Sequence, residues 1–228
     1  MELEGMKKPI FLIAQLLLIT GCLTAGYDFS EYRNSPFQWV YPEYFYKAII
    51  IDVEKSNPDE TFSKIEFFGL SAYAPDNFKK TENQTNENTL SFKSDSSELF
   101  VVSLETGDVL MGTEGSRQRE KDYYSAFSSV KEWYRKMYSL TPDIITETTP
   151  IGDLWLIHAK GMYFDDTNKI EIYKGDSFVA YVKYFKKDNL YLNMEMAIFH
   201  NKLPDKKFVK VAFRTSKINA KAFLETLE

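Results

Sequence analysis

The chain has 228 residues, with 28 basic and 33 acidic side chains and a net charge of −5. A mildly acidic protein has no electrostatic case for nucleic acid, and it gains nothing from an anionic lipid surface. With one cysteine, it forms no disulfide within itself.

The chain opens with a leader. Met1 to Pro9 contains Lys7 and Lys8, and Ile10 to Ile19 is an apolar run of about ten residues. That is too short for a hydrocarbon core needing about 20 residues, and basic residues followed by an apolar run and then small residues is the layout of a secretory leader. Glu2 and Glu4 sit oddly before the lysines, and a start at Met6 gives the cleaner opening Met6-Lys7-Lys8. The run ends in Leu18-Ile19-Thr20-Gly21-Cys22. This stretch resembles the lipobox of bacterial lipoproteins, an aliphatic residue and small residues before a cysteine. The resemblance implies that the Cys22 thiol takes a diacylglycerol group and that residues 1–21 are removed as a signal peptide. In enterobacterial members aspartate after the cysteine marks inner-membrane retention. Leu23 stands there, so the resemblance points to the outer membrane, facing the periplasm or the surface. The alternative is ordinary secretion with cleavage after Gly26. Loss of residues 1–21 removes two lysines and two glutamates, leaving the net charge unchanged.

Residues 22–36 are polar and without period, a tether. Residues 37–228 are long enough for one domain with a substantial core, and 18 Phe and 15 Tyr favour sheet. A strand is expected at about 46–54, ending in Ile49-Ile50-Ile51, and a turn at Ser56 to Asp59. Lys64 to Tyr73 reads as one strand stopped by Pro75. Residues 79–89 form a polar loop. Leu90 to Phe92 and Glu98 to Leu104 form a hairpin about Ser94 to Ser97. A second polar connection, 105–121, carries Gly107, Gly112 and Gly115 with Arg117, Arg119 and Lys121. No Walker-type Lys-Ser or Lys-Thr follows, so a solvated loop is the simpler reading.

Asp122 to Tyr138 is expected to be helical. Tyr123, Ala126, Phe127, Val130, Trp133, Tyr134 and Met137 fall on one face, Asp122 caps the start and Thr141-Pro142 closes the end. Strands follow at 153–163, 169–174, 177–185, 190–198 and 208–213, with turns at Asp165 to Asn168, Gly175-Asp176, Lys186 to Asn189 and Asn201 to Asp205. Ser216 caps a last helix burying Ala220, Phe223, Leu224 and Leu227. Spacings this short favour antiparallel neighbours. The fold class is therefore α+β, an antiparallel sheet of about seven or eight strands with at least two packed helices.

The order of elements over 62–228 is similar to the PsbP-like fold of photosystem II extrinsic proteins and their bacterial relatives. Phe67 to Pro75 resembles that family's first strand with its closing proline, although the family's tryptophan after the proline is absent. No ligand residue is carried over from it.

No catalytic set is visible. His158 and His200 lie in no HxxxH or HxH pattern, and a zinc site would need both together with carboxylates. Asp165 and Asp166 lack EF-hand spacing, and there is no Gly-x-Ser-x-Gly elbow. The sequence points to no catalytic, metal or cofactor-binding residue, and to Cys22 as the lipidation site. Two functions remain. One is a non-catalytic, lipid-anchored envelope protein that binds a protein partner or assists an envelope assembly. The other is a lipoprotein hydrolase or small-ligand-binding protein with its site between the sheet and the loops 79–89 and 105–121.

Overall fold

The structure, a computed structural model, describes residues 47–74, 78–81, 87–94, 97–105, 129–141, 160, 163–164, 166–186, 192–214 and 219–228. The lipobox with Cys22, the tether, His158, Asp165 and most of the 105–121 connection lie outside these residues.

Ten strands and two helices are described: β1 (Ile49–Asp52), β2 (Ser63–Phe67), β3 (Leu70–Ala74), β4 (Lys79–Lys80), β5 (Thr89–Lys93), β6 (Glu98–Glu105), α1 (Val130–Ser139), β7 (Thr167–Lys174), β8 (Phe178–Phe185), β9 (Met194–His200), β10 (Lys207–Arg214) and α2 (Ala220–Glu225). Eight strands form one sheet in the order β1-β7-β8-β9-β10-β6-β5-β4, and β2 and β3 form a separate hairpin. The fold is α+β, a large sheet with packed helices. It consists of two antiparallel runs, β4-β5-β6 and β7-β8-β9-β10, joined where β6 pairs with β10 from Lys207↔Glu105 to Arg214↔Glu98. One pair departs from the antiparallel expectation: β1 lies parallel to β7, Ile49 opposite Glu171. Short connections impose antiparallel pairing only on consecutive strands, and β1 and β7 are not consecutive.

Both faces of the sheet are covered, which explains why β8 is apolar on both sides. On one face α1 buries Val130, Trp133, Tyr134, Met137 and Tyr138 against Ile170, Ile172, Tyr181, Phe199 and Phe208. The spacing of that stripe matches the expected helix face. The cap differs: α1 begins after Ser129, whose hydroxyl accepts from the Glu132 amide at 3.1 Å, and the Ser-x-x-Glu spacing is that of a capping box. Asp122 lies outside the described residues. On the other face the β2–β3 hairpin and α2 pack over Val182, Met196, Val211 and Phe213. Ala220, Phe223, Leu224 and Leu227 are buried as the pattern requires. The cap of α2 is Asn219, whose side chain accepts from the Lys221 amide at 2.9 Å; Ser216 lies outside the described residues.

Two expected strands are corrected. Residues 64–73 are two strands, because Phe68 (φ 48°) and Gly69 (φ 79°) turn the chain back on itself between the paired residues Phe67 and Leu70. Both φ values suit a two-residue type I′ turn, the connection whose twist matches a hairpin. The end of the expected strand 153–163 is helical at Lys160 and Tyr163, and the Phe164 amide donates to the Lys160 carbonyl at 3.0 Å. The large apolar residues there pack under α1 rather than into the sheet.

Candidate functional site

One serine lies within hydrogen-bond reach of a histidine among the described residues. The turn before β8 brings Ser177 Oγ to 3.1 Å from His200 Nε2, because Phe178 pairs with His200 across β8 and β9. This is the distance a nucleophile–base pair requires. The tautomer is wrong for that chemistry. The Lys202 amide donates to His200 Nδ1 at 3.0 Å, so Nδ1 is an acceptor and the proton of the neutral ring sits on Nε2. Nε2–H then donates to Ser177 and has no lone pair with which to take the serine proton. In a Ser-His-Asp triad Nδ1 instead donates to a carboxylate. His200 is a structural residue that ties the start of the β9–β10 turn to the start of β8.

Burial holds the His200 pKa below its usual value, and the charges of Lys202 and Lys55 add to the effect. The unfolded chain therefore takes up this proton first. The stabilising contribution of neutral His200 is complete above the unfolded value of about 6.5 and is lost as pH falls towards the lower folded value. We expect the His200 ring signals, followed by NMR, to titrate below about pH 6.5. Titration above that value would mean that burial and the neighbouring lysines do not act on the ring as described.

Polar groups also enter both cores. Under α1, Lys210 and Glu195 form an ion pair at 3.0 Å, and the Lys183 ammonium lies 4.4 Å over the Tyr163 ring. Burial raises the pKa of the Tyr134, Tyr138 and Tyr163 hydroxyls, so all three stay protonated and neutral. Lys160 is fully buried and donates to the Leu140 carbonyl at 2.8 Å, beyond the end of α1. Burial lowers its pKa to about 8, which leaves the ammonium charged at neutral pH and occupied with the helix end. On the opposite face Glu171 is 3% exposed and accepts from the Tyr173 hydroxyl at 2.6 Å, with the Lys169 ammonium on its other oxygen. Lys160, Lys210, Glu195 and Glu171 each have a structural partner, whereas the Tyr163 hydroxyl is buried without a hydrogen-bond partner.

The open features lie at the two ends of the sheet. At one edge, two of the three isoleucines of β1 stay in water: Ile49 is 52% and Ile50 57% exposed, while Ile51 packs against the core. β1 pairs only with β7, and among the described residues no strand pairs with its outer edge. Near the other edge, a cleft of about 450 Å³ opens between the Phe68-Gly69 turn, Lys80 of β4, Leu90 of β5, Lys202 and Glu228.

No protein-family model matches the chain, and no curated protein matches it. The chemistry must therefore be read from its own residues. Among the described residues no three of His, Cys, Asp and Glu come together as a metal site, and no helix is long and apolar enough to cross a membrane. Lys80 lies in the expected loop 79–89, whose first two residues are instead strand β4, and Leu90 follows that loop; residues 82–86 lie outside the described residues. The sequence did not single out Phe68, Lys80 or Lys202. The one available signal was Phe68-Gly69 between two alternating runs, a weaker hairpin mark than Asn-Gly.

Proposed function

We propose that this protein is a bacterial lipoprotein, anchored through Cys22 and displaying a non-catalytic α+β domain that binds a protein partner in the cell envelope. Residues 1–21 are the leader and 22–36 the tether. Two or more acyl chains give stable anchoring, and Leu23 after the cysteine favours the outer membrane. The observation that carries partner binding is the β1 edge. Natural edge strands are blunted by lysine, proline or a covering element, whereas β1 reads Ile-Ile-Ile-Asp and exposes two of its isoleucines. An extended partner segment adds to such an edge through main-chain hydrogen bonds, with alternate side chains giving specificity. The hydrolase alternative loses support from the Ser177–His200 pair, whose proton sits on the wrong nitrogen.

The test has two arms. Labelled palmitate is expected to enter the native chain and not Cys22→Ser, and the variant is expected to leave the membrane fraction. Continued membrane fractionation of Cys22→Ser at its normal processed mass would remove the anchor. In the second arm, cross-linking and pull-down from solubilised envelope should recover one partner with the parent chain, and Ile50→Lys should lose it without a change in melting temperature. Undiminished capture by Ile50→Lys would remove the β1 edge as the contact.

A further inference from the structure

We propose that the cleft beside the β2–β3 turn binds a small amphipathic anion, an aromatic or aliphatic body bearing one carboxylate, phosphate or sulfonate group. The site is lined from the β2–β3 hairpin, β4, β5, the β9–β10 turn and Glu228, and β1 contributes no residue to it, so either reading can fail alone.

Three observations converge. The first is the shape and the floor. About 450 Å³ falls within the roughly 300–1,000 Å³ of small-molecule sites, and the core residues Phe67, Leu70 and Leu90 lie along it, Leu90 the most exposed of the three. The second is the charge at the rim. Lys80 and Lys202 come from β4 and the β9–β10 turn, 122 positions apart in sequence, and both are exposed. Neither forms an ion pair among the described residues. Two carboxylates also line the cleft, and Glu66 is drawn to Lys64 at 3.1 Å. That leaves Lys80 and Lys202 as the two cationic residues lining the cleft, with Glu228 beside them. The Lys202 amide is fixed to His200 Nδ1 at 3.0 Å, so the turn that carries this lysine is held in place.

The third is Phe68. Its φ is 48°, a conformation that asparagine and glycine adopt readily and a large side chain adopts under strain. Strain of this kind persists only where the surrounding structure holds it, and it concentrates at binding sites. Phe68 lines the cleft half-buried, packed in part against the core, which leaves the rest of its surface for a ligand body. The ligand's anionic group then meets Lys80 and Lys202, while its apolar body covers Phe68, Leu70 and Leu90. An inorganic anion alone would gain little, because two mobile lysines at an open rim pay most of their interaction back in water.

The test uses the purified full-length chain and three probes: naphthalene-2-carboxylate, its neutral amide and inorganic phosphate, titrated by calorimetry and by amide NMR shifts. The carboxylate is expected to bind with shifts around Phe68, Leu90 and Lys202, at least tenfold more tightly than the amide or phosphate. The Lys80→Ala/Lys202→Ala double variant, whose side chains are exposed, should keep its melting temperature and lose at least tenfold in affinity. Phe68→Asn, which suits the turn, should melt no lower than the parent and bind several-fold more weakly. The proposal is overturned by absence of carboxylate binding, by equal binding of the amide or of phosphate, or by an affinity indifferent to both lysines. A Phe68→Asn chain that melts lower yet binds unchanged removes Phe68 from the site and makes its ring a packing group.

Discussion

Phe223→Ala is expected to destabilise the protein by about 3–5 kcal/mol, the range for truncating a buried phenylalanine, and to lower the melting temperature by about 6–20 °C at this size. Phe223 is 1% exposed. Its ring stacks on Phe67 at 6.2 Å and meets Phe213 edge-on at 5.3 Å. It therefore bridges three elements: α2, the β2–β3 hairpin and the sheet. A helix of six residues has almost no stability of its own, so packing holds α2 in place. The segment after α2 in turn holds β3: the Ser71 amide donates to the Glu228 carbonyl at 3.0 Å, the Glu228 amide returns a bond to Ser71 at 2.8 Å, and the Tyr73 amide donates to Thr226 Oγ1 at 2.9 Å. Loss of the ring should loosen the hairpin first. Hydrogen exchange at Ser71 and Tyr73 should accelerate more than at β9 or β10, and urea unfolding should show the full loss. A Phe223→Ala chain within 1 kcal/mol of the parent would mean that α2 and the hairpin are not packed as described.

This dependence on long-range packing explains what the sequence could and could not disclose. Period-two alternation marked β9, since Met194, Met196 and Ile198 face one core, and period 3.6 marked the buried stripes of α1 and α2. Those signals are local, and they survived folding. The Phe68-Gly69 turn was hidden because Phe67-Phe68-Gly69-Leu70 reads as one continuous apolar stretch, and phenylalanine is not a residue that announces positive φ. Lys160 and Tyr163 were read as strand because an alternating pattern and a short apolar helical turn look alike over so few residues. The parallel pairing of β1 with β7 depends on a register between segments more than 100 residues apart, which no window of sequence contains. The site features suffer most. Ser177 meets His200 only through the β8–β9 register, and the decisive fact about the pair, which nitrogen holds the proton, comes from a backbone amide. Lys80 and Lys202 are unremarkable surface lysines until the fold sets them at one rim.

Glu171→Gln is expected to cost about 2 kcal/mol at pH 7, the scale of hydrogen bonds to a charged group, and the difference from the parent should close as the pH is lowered. The carboxylate sits inside β7, opposite Ile49 of β1, facing the core shared with α2. Burial by itself would raise its pKa. Hydrogen bonds from Lys169, Tyr173 and Tyr184, together with the Lys169 charge, outweigh that effect and hold it below the ordinary value. The same carboxylate, with burial, pushes the Tyr173 and Tyr184 hydroxyls up, which keeps them as donors. The sign follows from the lowered value. A carboxylate more acidic in the folded chain stabilises it above its unfolded pKa of about 4.3, and that contribution disappears as pH falls through the folded pKa. Glutamine reproduces the shape of the protonated acid but lacks the carboxylate's charge, so parent and variant should begin to converge in urea-derived stability below about pH 4.3 and go on converging as the pH falls through the lowered folded value. Other carboxylates held low, such as Glu98 beside Lys93 and Arg214, weaken both chains alike on acidification and cancel in the comparison. A gap that is unchanged across this range would show that Glu171 acts by shape and packing, and that the Lys169 charge contributes nothing to the lock between β7 and β8.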